Sequence, residues 1–260
     1  MTPIVSSQRV LRSALLETHR FKHGFSLRQG GVSVPPFDTL NLGRQVSDNP
    51  KHVVENHRRF AAEVGYDAEG LYEISQVHGC HIEVADPTRS AASFRVREGD
   101  ALIGSHDGVA VAVRTADCMP LLLADPESGV VAAVHAGWRG IALGVVRSSV
   151  LALTQRMHVK QTELLVGIGP HIRQCCFEVG EDVRAILVAC SDASNVVITH
   201  TTKPRVSLVG IVMSQLLSLG ALFTHIDDVG GCTHCEGDRF FSYRRDGAAS
   251  GRHAAVIVSR

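Results

Sequence analysis

Two histidines and one cysteine follow apolar runs of strand character, and their side chains are of the types that bind zinc. They are His78, Cys118 and His135, and each is followed within two residues by a glycine or a proline. If the three runs are neighbouring strands of one sheet, these side chains meet at one edge. Two imidazoles and a thiolate would then hold zinc with a fourth position open, as in a catalytic metal site.

The same residues also allow other interpretations. A cysteine after an apolar strand is often only a buried core residue. Cys118 and His135 could instead form a nucleophile and its base without any metal. Asp117 is expected to face away from Cys118, because successive strand residues point to opposite faces, but it could orient a ligand histidine.

Apolar periodicity and turn residues predict the elements that would position these side chains. The predicted strands are 71–77, 81–85, 109–115, 119–124, 129–135, 163–168 and 254–259. The predicted helices are 50–64, about 139–157, about 180–190 and 208–219. This order predicts an α/β fold, a single mixed-sheet domain with flanking helices that spans residues 1–260.

Composition favours a small-molecule partner. Of the 260 residues, 45% are hydrophobic, and 26 Lys and Arg balance 26 Asp and Glu. This balance speaks against nucleic acid or a membrane surface as partner. The N-terminal residues lack signal-peptide features and no apolar run is long enough to cross a bilayer, so we expect a cytoplasmic protein.

The seven cysteines show no disulfide framework of a small secreted domain, which favours reduced thiols. A disulfide between the adjacent Cys175 and Cys176 would be strained. The segment Cys232-Thr-His234-Cys235 has zinc-ribbon spacing, but the chain has no second C-x-x-C. We therefore predict a structural loop there.

A possible anion site lies at Gly137-Trp138-Arg139-Gly140, which begins a predicted helix. Free backbone N–H groups and Arg139 would suit a phosphate or a carboxylate. The alternative is a glycine turn in which Trp138 covers the core. Arg28, Arg244, Arg245 and Arg252 also lie in glycine-rich loops and could line an anion site.

Taken together, seven segments resemble the YfiH/YlmD family of laccase-like purine nucleoside phosphorylases, formerly grouped as multicopper polyphenol oxidoreductases. The A-D-C-x-P and H-A-G-W-R-G elements, in this order, are the most specific. The resemblance extends from about residue 23 to the C-terminus. The segments are Phe25–Ser33, Leu40–Gly43, Gln76–Gly79, Thr115–Pro120, Val134–Gly140, Ile168–Gly180 and Phe240–Gly247.

The resemblance implies a fold like that of the bacterial cytotoxic-factor, YfiH-like cysteine hydrolases. It also implies zinc held by His78, Cys118 and His135, the three residues already chosen for their chemistry. We predict that these three residues are catalytic as well. Substrate or phosphate binding is predicted for Arg28, Asn41, Arg139 and Arg244.

The activity implied is phosphorolysis of adenosine, inosine or methylthioadenosine, with adenosine deamination as a second activity. Nucleoside and phosphate are the expected partners. The alternative is a peptidoglycan-precursor editing amidase that removes L-Ser from UDP-MurNAc-L-Ser. A laccase reaction is disfavoured because the chain has no H-x-H pair, and one set of two histidines and a cysteine cannot hold four coppers. Copper could still occupy the zinc ligands in vitro.

Overall fold

Two large β-sheets dominate the computed structural model, which describes residues 9–191, 197–198 and 203–260. The strands are β1 (Val10–Leu11), β2 (His23–Ser26), β3 (Ile82–Val84), β4 (Ala101–Gly104), β5 (Ala110–Thr115), β6 (Met119–Ala124), β7 (Val131–Ala136), β8 (Leu165–Ile168), β9 (Val197–Ile198), β10 (Arg205–Val206), β11 (Ile226–Asp228) and β12 (His253–Val258). The helices are α1 (Ala14–Thr18), α2 (Pro50–Val64), α3 (Trp138–Ala142), α4 (Val145–Arg156), α5 (Glu181–Ala189), α6 (Leu208–Ser218) and α7 (Tyr243–Asp246). Four 3₁₀ turns complete the described elements: Ala91–Val96, Gln161–Glu163, Phe223–His225 and Gly247–Ala249.

The larger sheet has the order β11-β8-β6-β7-β4-β3 and is mixed, since β11–β8 and β3–β4 are parallel and the other pairs antiparallel. The smaller sheet, β1-β2-β12-β5, is antiparallel throughout. Strands β9 and β10 form a separate pair. The predicted α/β fold with mixed sheets and flanking helices is confirmed, whereas the domain bounds 1–260 stay a prediction.

The two sheets pack face to face, and their central strands are buried on both faces. Along β6, Leu122 packs toward the smaller sheet, whereas Leu121 and Leu123 pack toward helices α4 and α6. The outer face of the smaller sheet is covered by α2 through Phe60 and Val64. Burial on both faces explains why these strands read as continuous apolar runs rather than as alternating patterns.

Helix α2 has the predicted bounds, because Asn49 caps it, Pro50 begins it and Gly65 ends it at a φ of 92°. The single helix predicted over about 139–157 was wrong. It divides into α3 and α4 at Gly144, whose φ of 87° breaks the helical path. Within the described ranges, no helix combines the length and the apolar character needed to cross a membrane.

The strand predicted over 71–77 was also wrong, since this segment makes only isolated bridges through Tyr72 and Ser75. Its apolar side chains are buried, but Glu73 is directed inward among arginines. A further difference concerns 109–115 and 119–124, which lie in different sheets as β5 and β6. Cys118 therefore lies where the chain passes from one sheet to the other.

Substitution of a residue buried between the two sheets tests the described packing. Phe25 of β2 is 1% exposed, whereas Phe223 is 66% exposed. Phe25→Ala should lower the free energy of unfolding by about 3–5 kcal/mol, since it leaves a cavity in a packed interior. Phe223→Ala, the matched control, should change it by less than about 0.5 kcal/mol. Urea unfolding of both variants checks this, and equal losses would contradict the described packing.

Candidate functional site

The structure brings His78, Cys118 and His135 together. Their ligand atoms all lie within 4.8 Å of one another. His78 Nε2 is 3.8 Å from Cys118 Sγ, and the two imidazole rings meet edge to face with centroids 4.8 Å apart. The expectation of three adjacent strands was wrong, because His135 lies in β7, Cys118 precedes β6 and His78 lies in a loop.

Asp100, immediately before β4, holds two of these residues in place. Its buried carboxylate accepts a 2.8 Å hydrogen bond from His135 Nδ1, which leaves Nε2 of that ring to face the other two side chains. It also accepts the backbone N–H groups of His78 at 2.9 Å and Gly79 at 2.6 Å. These bonds secure the unusual φ of 61° at His78.

Sequence reasoning missed Asp100 and considered Asp117 as the residue that orients a histidine. Asp117 instead accepts hydrogen bonds from Thr233 Oγ1 and the Arg244 backbone N–H, both at 2.6 Å. The signal that could have found Asp100 is a carboxylate directly before the short apolar run Ala101–Gly104, which was not predicted as a strand.

The electrostatics of the centre favour a thiolate beside an imidazolium when no metal is bound. Burial raises the pKa of Cys118, but the charge of His135 and hydrogen bonds from His135 and His78 outweigh it and lower the pKa to about 6. Burial lowers the pKa of His135, but the Cys118 thiolate and Asp100 raise it to about 9. Each group thus stabilises the charge of the other.

The donor set fits a single metal ion. Tetrahedral zinc with ordinary Zn–N and Zn–S bonds separates nitrogen and sulfur ligands by about 3.6 Å, close to the observed His78–Cys118 distance. Gly137 leaves room beside the centre, since a Cβ there would lie 3.0 Å from both Cys118 Sγ and His78 Cδ2. The geometry supports a metal but does not select its identity.

A cleft of about 560 Å³ opens at this centre and combines aromatic side chains with arginines. Trp138, Phe177 and Tyr243 line it. The volume of the cleft and its mixture of apolar and charged side chains are typical of a site for a small organic ligand. The remaining lining residues are Gly43, Arg44, Gln45, Val46, Gln76, His78, Arg114, Thr115, Ala116, Asp117, Cys118, His135, Arg139, Ile172, Leu208, Arg244 and Arg252.

The five arginines of the cleft differ in their partners. Arg44 is paired with the buried Glu73 at 2.8 Å, and Arg114 also approaches it at 3.9 Å. Arg244 donates to the Glu178 carbonyl. Arg139 lies over the Trp138 ring at 4.5 Å and, among the described residues, has no carboxylate within ion-pair distance.

The four residues predicted to bind substrate or phosphate separate into two groups. Arg139 and Arg244 line the cleft, whereas Arg28 and Asn41 are outside its lining. Arg28 binds the carboxylate and carbonyl of Asp38. Asn41 is fully buried and accepts the backbone N–H groups of Gly43 and Arg252. Both thus support neighbouring loops. Sequence reasoning missed Arg44 and Arg114, because neither belongs to a motif.

Comparison with known proteins identifies the family of the chain. Residues 22–260 match the sequence profile of the family described as multi-copper polyphenol oxidoreductase laccase. The chain belongs to this family. Its relatives carry YfiH and YlmD names, so the family predicted from the motifs is confirmed.

Curated relatives in the family are named as phosphorylases. Purine nucleoside phosphorylase PA4543 of Pseudomonas aeruginosa is 39% identical over 231 residues, covering 88% of this chain and 90% of the relative. Purine nucleoside phosphorylase YfiH of Shigella flexneri is 36% identical over 236 residues, covering 89% and 91%.

Solved structures show the same fold along nearly the whole chain. YlmD from Geobacillus stearothermophilus has a TM-score of 0.90 at 31% identity and covers 98% of this chain and 97% of its own. NMB0706 from Neisseria meningitidis has a TM-score of 0.82 at 32% identity, covering 97% and 99%. The relatives that carry phosphorylase names, PA4543 and YfiH, support a phosphorylase-like enzyme.

The thiolate–imidazolium pair predicts the reactivity of Cys118 in metal-free protein. Alkylation of Cys118, followed by mass spectrometry of its peptide, should rise with pH around a midpoint of about 6. His135→Gln should shift this midpoint upward, because the neighbouring cation is removed. His81→Gln is the control, since His81 is exposed and pairs with Glu83. An unchanged midpoint in His135→Gln would contradict the pairing.

Proposed function

We propose that this chain is a zinc-dependent purine nucleoside phosphorylase that acts on adenosine, inosine and methylthioadenosine, with adenosine deamination as a second activity. The observation that carries the proposal is the cleft, where aromatic rings and arginines surround the His78–Cys118–His135 centre. Phosphorylase names among relatives at 36–39% identity support the same reaction class. The seven free cysteines are compatible with the cytoplasm predicted from the sequence.

His78, Cys118 and His135 would hold the metal, with Asp100 fixing the ring of His135. A bound divalent ion would supply Lewis-acid chemistry at its open position. Two histidines and one cysteine are ligands for one ion, so the centre supports a mononuclear site rather than a multicopper oxidase.

The chain's own residues would bind the two substrates. Phosphate needs cationic donors, and Arg139 is the best placed of the lining arginines. Among the described residues its guanidinium group has no hydrogen-bonded protein acceptor, whereas each of the other four lining arginines has one. Trp138, Phe177 and Tyr243 offer aromatic surface for a purine. In phosphorolysis a phosphate oxygen bonds to C1′ of the ribose, the C1′–N9 bond breaks, and the base leaves as the free purine after gaining a proton.

The sequence suggested that the N-terminus of the helix at Trp138 binds phosphate. The structure makes this contribution small, because that helix, α3, has only five residues. A short helix has a small dipole, so the guanidinium of Arg139 is the main attraction for an anion there. Close approach of this segment depends on Gly140, where a Cβ would lie 2.9 Å from the carbonyl oxygen of Gly79.

Phosphate dependence provides the direct test. Metal-replete protein should release adenine from adenosine with phosphate present, and Arg139→Ala should raise the KM for phosphate by about 10-fold, as expected for a charge-assisted bond at an exposed site. Arg147→Ala, on the exposed side of α4, is the matched control. Steady-state kinetics at varied phosphate measure both, and an unchanged KM in Arg139→Ala would exclude that residue.

A second candidate, amide hydrolysis, is favoured by one feature of the same centre. Asp100 binds His135, and His135 pairs with the Cys118 thiolate. A nucleophile, a base and an orienting carboxylate thus contact one another in that order. This arrangement serves acyl transfer in cysteine hydrolases. The proposed substrate of this alternative is UDP-MurNAc-L-Ser, with loss of L-Ser.

The two candidates separate by product and by co-substrate. Phosphorolysis should yield adenine and ribose 1-phosphate only with phosphate present, and Cys118→Ala should lose both the metal of the His78–Cys118–His135 centre and the activity. Cys190→Ala should retain both, since Cys190 lies outside the cleft. Release of serine from the sugar nucleotide without phosphate, together with no adenine from adenosine, would favour the amidase.

A further inference from the structure

Four cysteines converge at a second centre, which the sequence did not predict. Cys175 and Cys176 follow β8, and Cys232 and Cys235 follow β11. All four sulfur atoms lie within 4.8 Å of one another. Cys175 Sγ is 3.6 Å from the sulfur atoms of both Cys232 and Cys235, and Cys176 Sγ is 3.1 Å from that of Cys235.

We propose that Cys175, Cys176, Cys232 and Cys235 bind a structural zinc ion that is separate from the His78–Cys118–His135 centre. Tetrahedral zinc with four thiolates separates its sulfur atoms by about 3.8 Å. The two 3.6 Å distances of Cys175 are near that value, whereas the 3.1 Å between Cys176 and Cys235 is shorter. The missing second C-x-x-C is replaced by the adjacent pair at 175–176. Because all four positions are occupied by protein, this ion would be structural rather than catalytic.

Disulfide bonds fit this arrangement less well. A disulfide joins sulfur atoms two by two, whereas Cys175 and Cys235 each approach two other sulfur atoms. An iron–sulfur cluster also fits less well, because its thiolates bind different iron atoms and are spread farther apart. Convergence of four sulfur atoms on one point is the geometry of a single tetrahedral ion.

Backbone N–H groups around Cys232 stabilise its sulfur atom as a thiolate. Cys232 Sγ accepts the backbone N–H of Arg173 at 3.5 Å and also that of Cys235, three residues further along the chain. Such N–H···S bonds stabilise a sulfur atom that carries negative charge. Cys232 is itself buried, as expected for the inner ligand of the group.

Two arginines flank the cluster, and each is also paired with a carboxylate, Arg173 with Asp228 and Arg245 with Asp246. Arg245 Nη1 donates to the carbonyl oxygens of Thr233 and His234, between Cys232 and Cys235. Arg173 Nε donates to the Gly231 carbonyl oxygen. Both guanidinium groups thus hold the backbone of the loop that carries two ligands.

The zinc would stabilise one wall of the cleft. Thr233, which lies between two of the cysteines, donates to Asp117 Oδ1, and Ile172 N donates to the Asp117 carbonyl. Asp117 immediately precedes Cys118, and Ile172 lines the cleft. Joining the 175–176 and 232–235 segments through one ion would therefore fix the backbone that presents Cys118.

Metal counting tests the proposal without any enzyme assay. Protein purified under reducing conditions should contain about two zinc ions per chain, and Cys118→Ala should keep about one. X-ray absorption at the zinc edge of Cys118→Ala should then show sulfur neighbours alone, at about 2.3 Å, with no nitrogen shell. This variant leaves the four-cysteine loops untouched, so the readout does not depend on whether altered loops fold.

Cys235→Ser in the Cys118→Ala background should lose the remaining zinc, whereas Cys190→Ser in that background should retain it. The proposal is wrong if Cys118→Ala contains no zinc while its circular dichroism is native. It is equally wrong if mass spectrometry of the reduced-buffer protein shows Cys175 or Cys176 joined by a disulfide to Cys232 or Cys235. Loss of phosphorolysis alone would bear on the proposed function and not on this site.

Discussion

The hydrogen-bonded carboxylate of Asp100 is the constraint on which the candidate centre depends. It is fully buried, and it accepts one imidazole N–H and the backbone N–H groups of Val77, His78 and Gly79, from two separate segments. A buried carboxylate is costly unless its oxygens are satisfied, and these bonds keep its pKa below the ordinary value despite burial. The same bonds choose which nitrogen of His135 faces Cys118. One side chain therefore sets the position of the His78 loop and the orientation of the His135 ring.

A comparable arrangement organises the other side of the cleft. Glu73 is buried beneath Arg44 and Arg114, which both line the cleft, and the charges of these arginines lower its pKa against the effect of burial. The Glu73 carboxylate fixes the positions of both guanidinium groups. The N–H groups that do not face Glu73 or other protein acceptors are available to a ligand in the cleft. Positive charge is thus concentrated along the cleft, although the chain as a whole has no net charge.

Residue types and local periodicity were enough to predict α2, most strands of the two sheets and the three residues of the centre. Sheet membership was not predictable, because β5 and β6 are equally apolar and nothing local shows that they belong to different sheets. Asp100 was missed because its role depends on segments 22 and 35 residues away in the chain. The four-cysteine group was missed for the same reason, since the ligand pairs are separated by almost 60 residues. The spacing of residues within a short motif indicates which chemistry they could perform. Contacts between segments that are distant in the chain decide which of these residues lie together.

The passage of the chain between the sheets has a mechanical consequence. His135 lies in β7 of the larger sheet, and Cys118 and Asp100 flank strands of that same sheet. Arg114 lies in β5 of the smaller sheet and Arg252 directly precedes β12. A ligand that touches both groups would fasten one sheet to the other, so its binding energy would add to the cohesion of the whole sandwich. The resistance of the protein to unfolding would then increase with the fraction of clefts that hold a ligand.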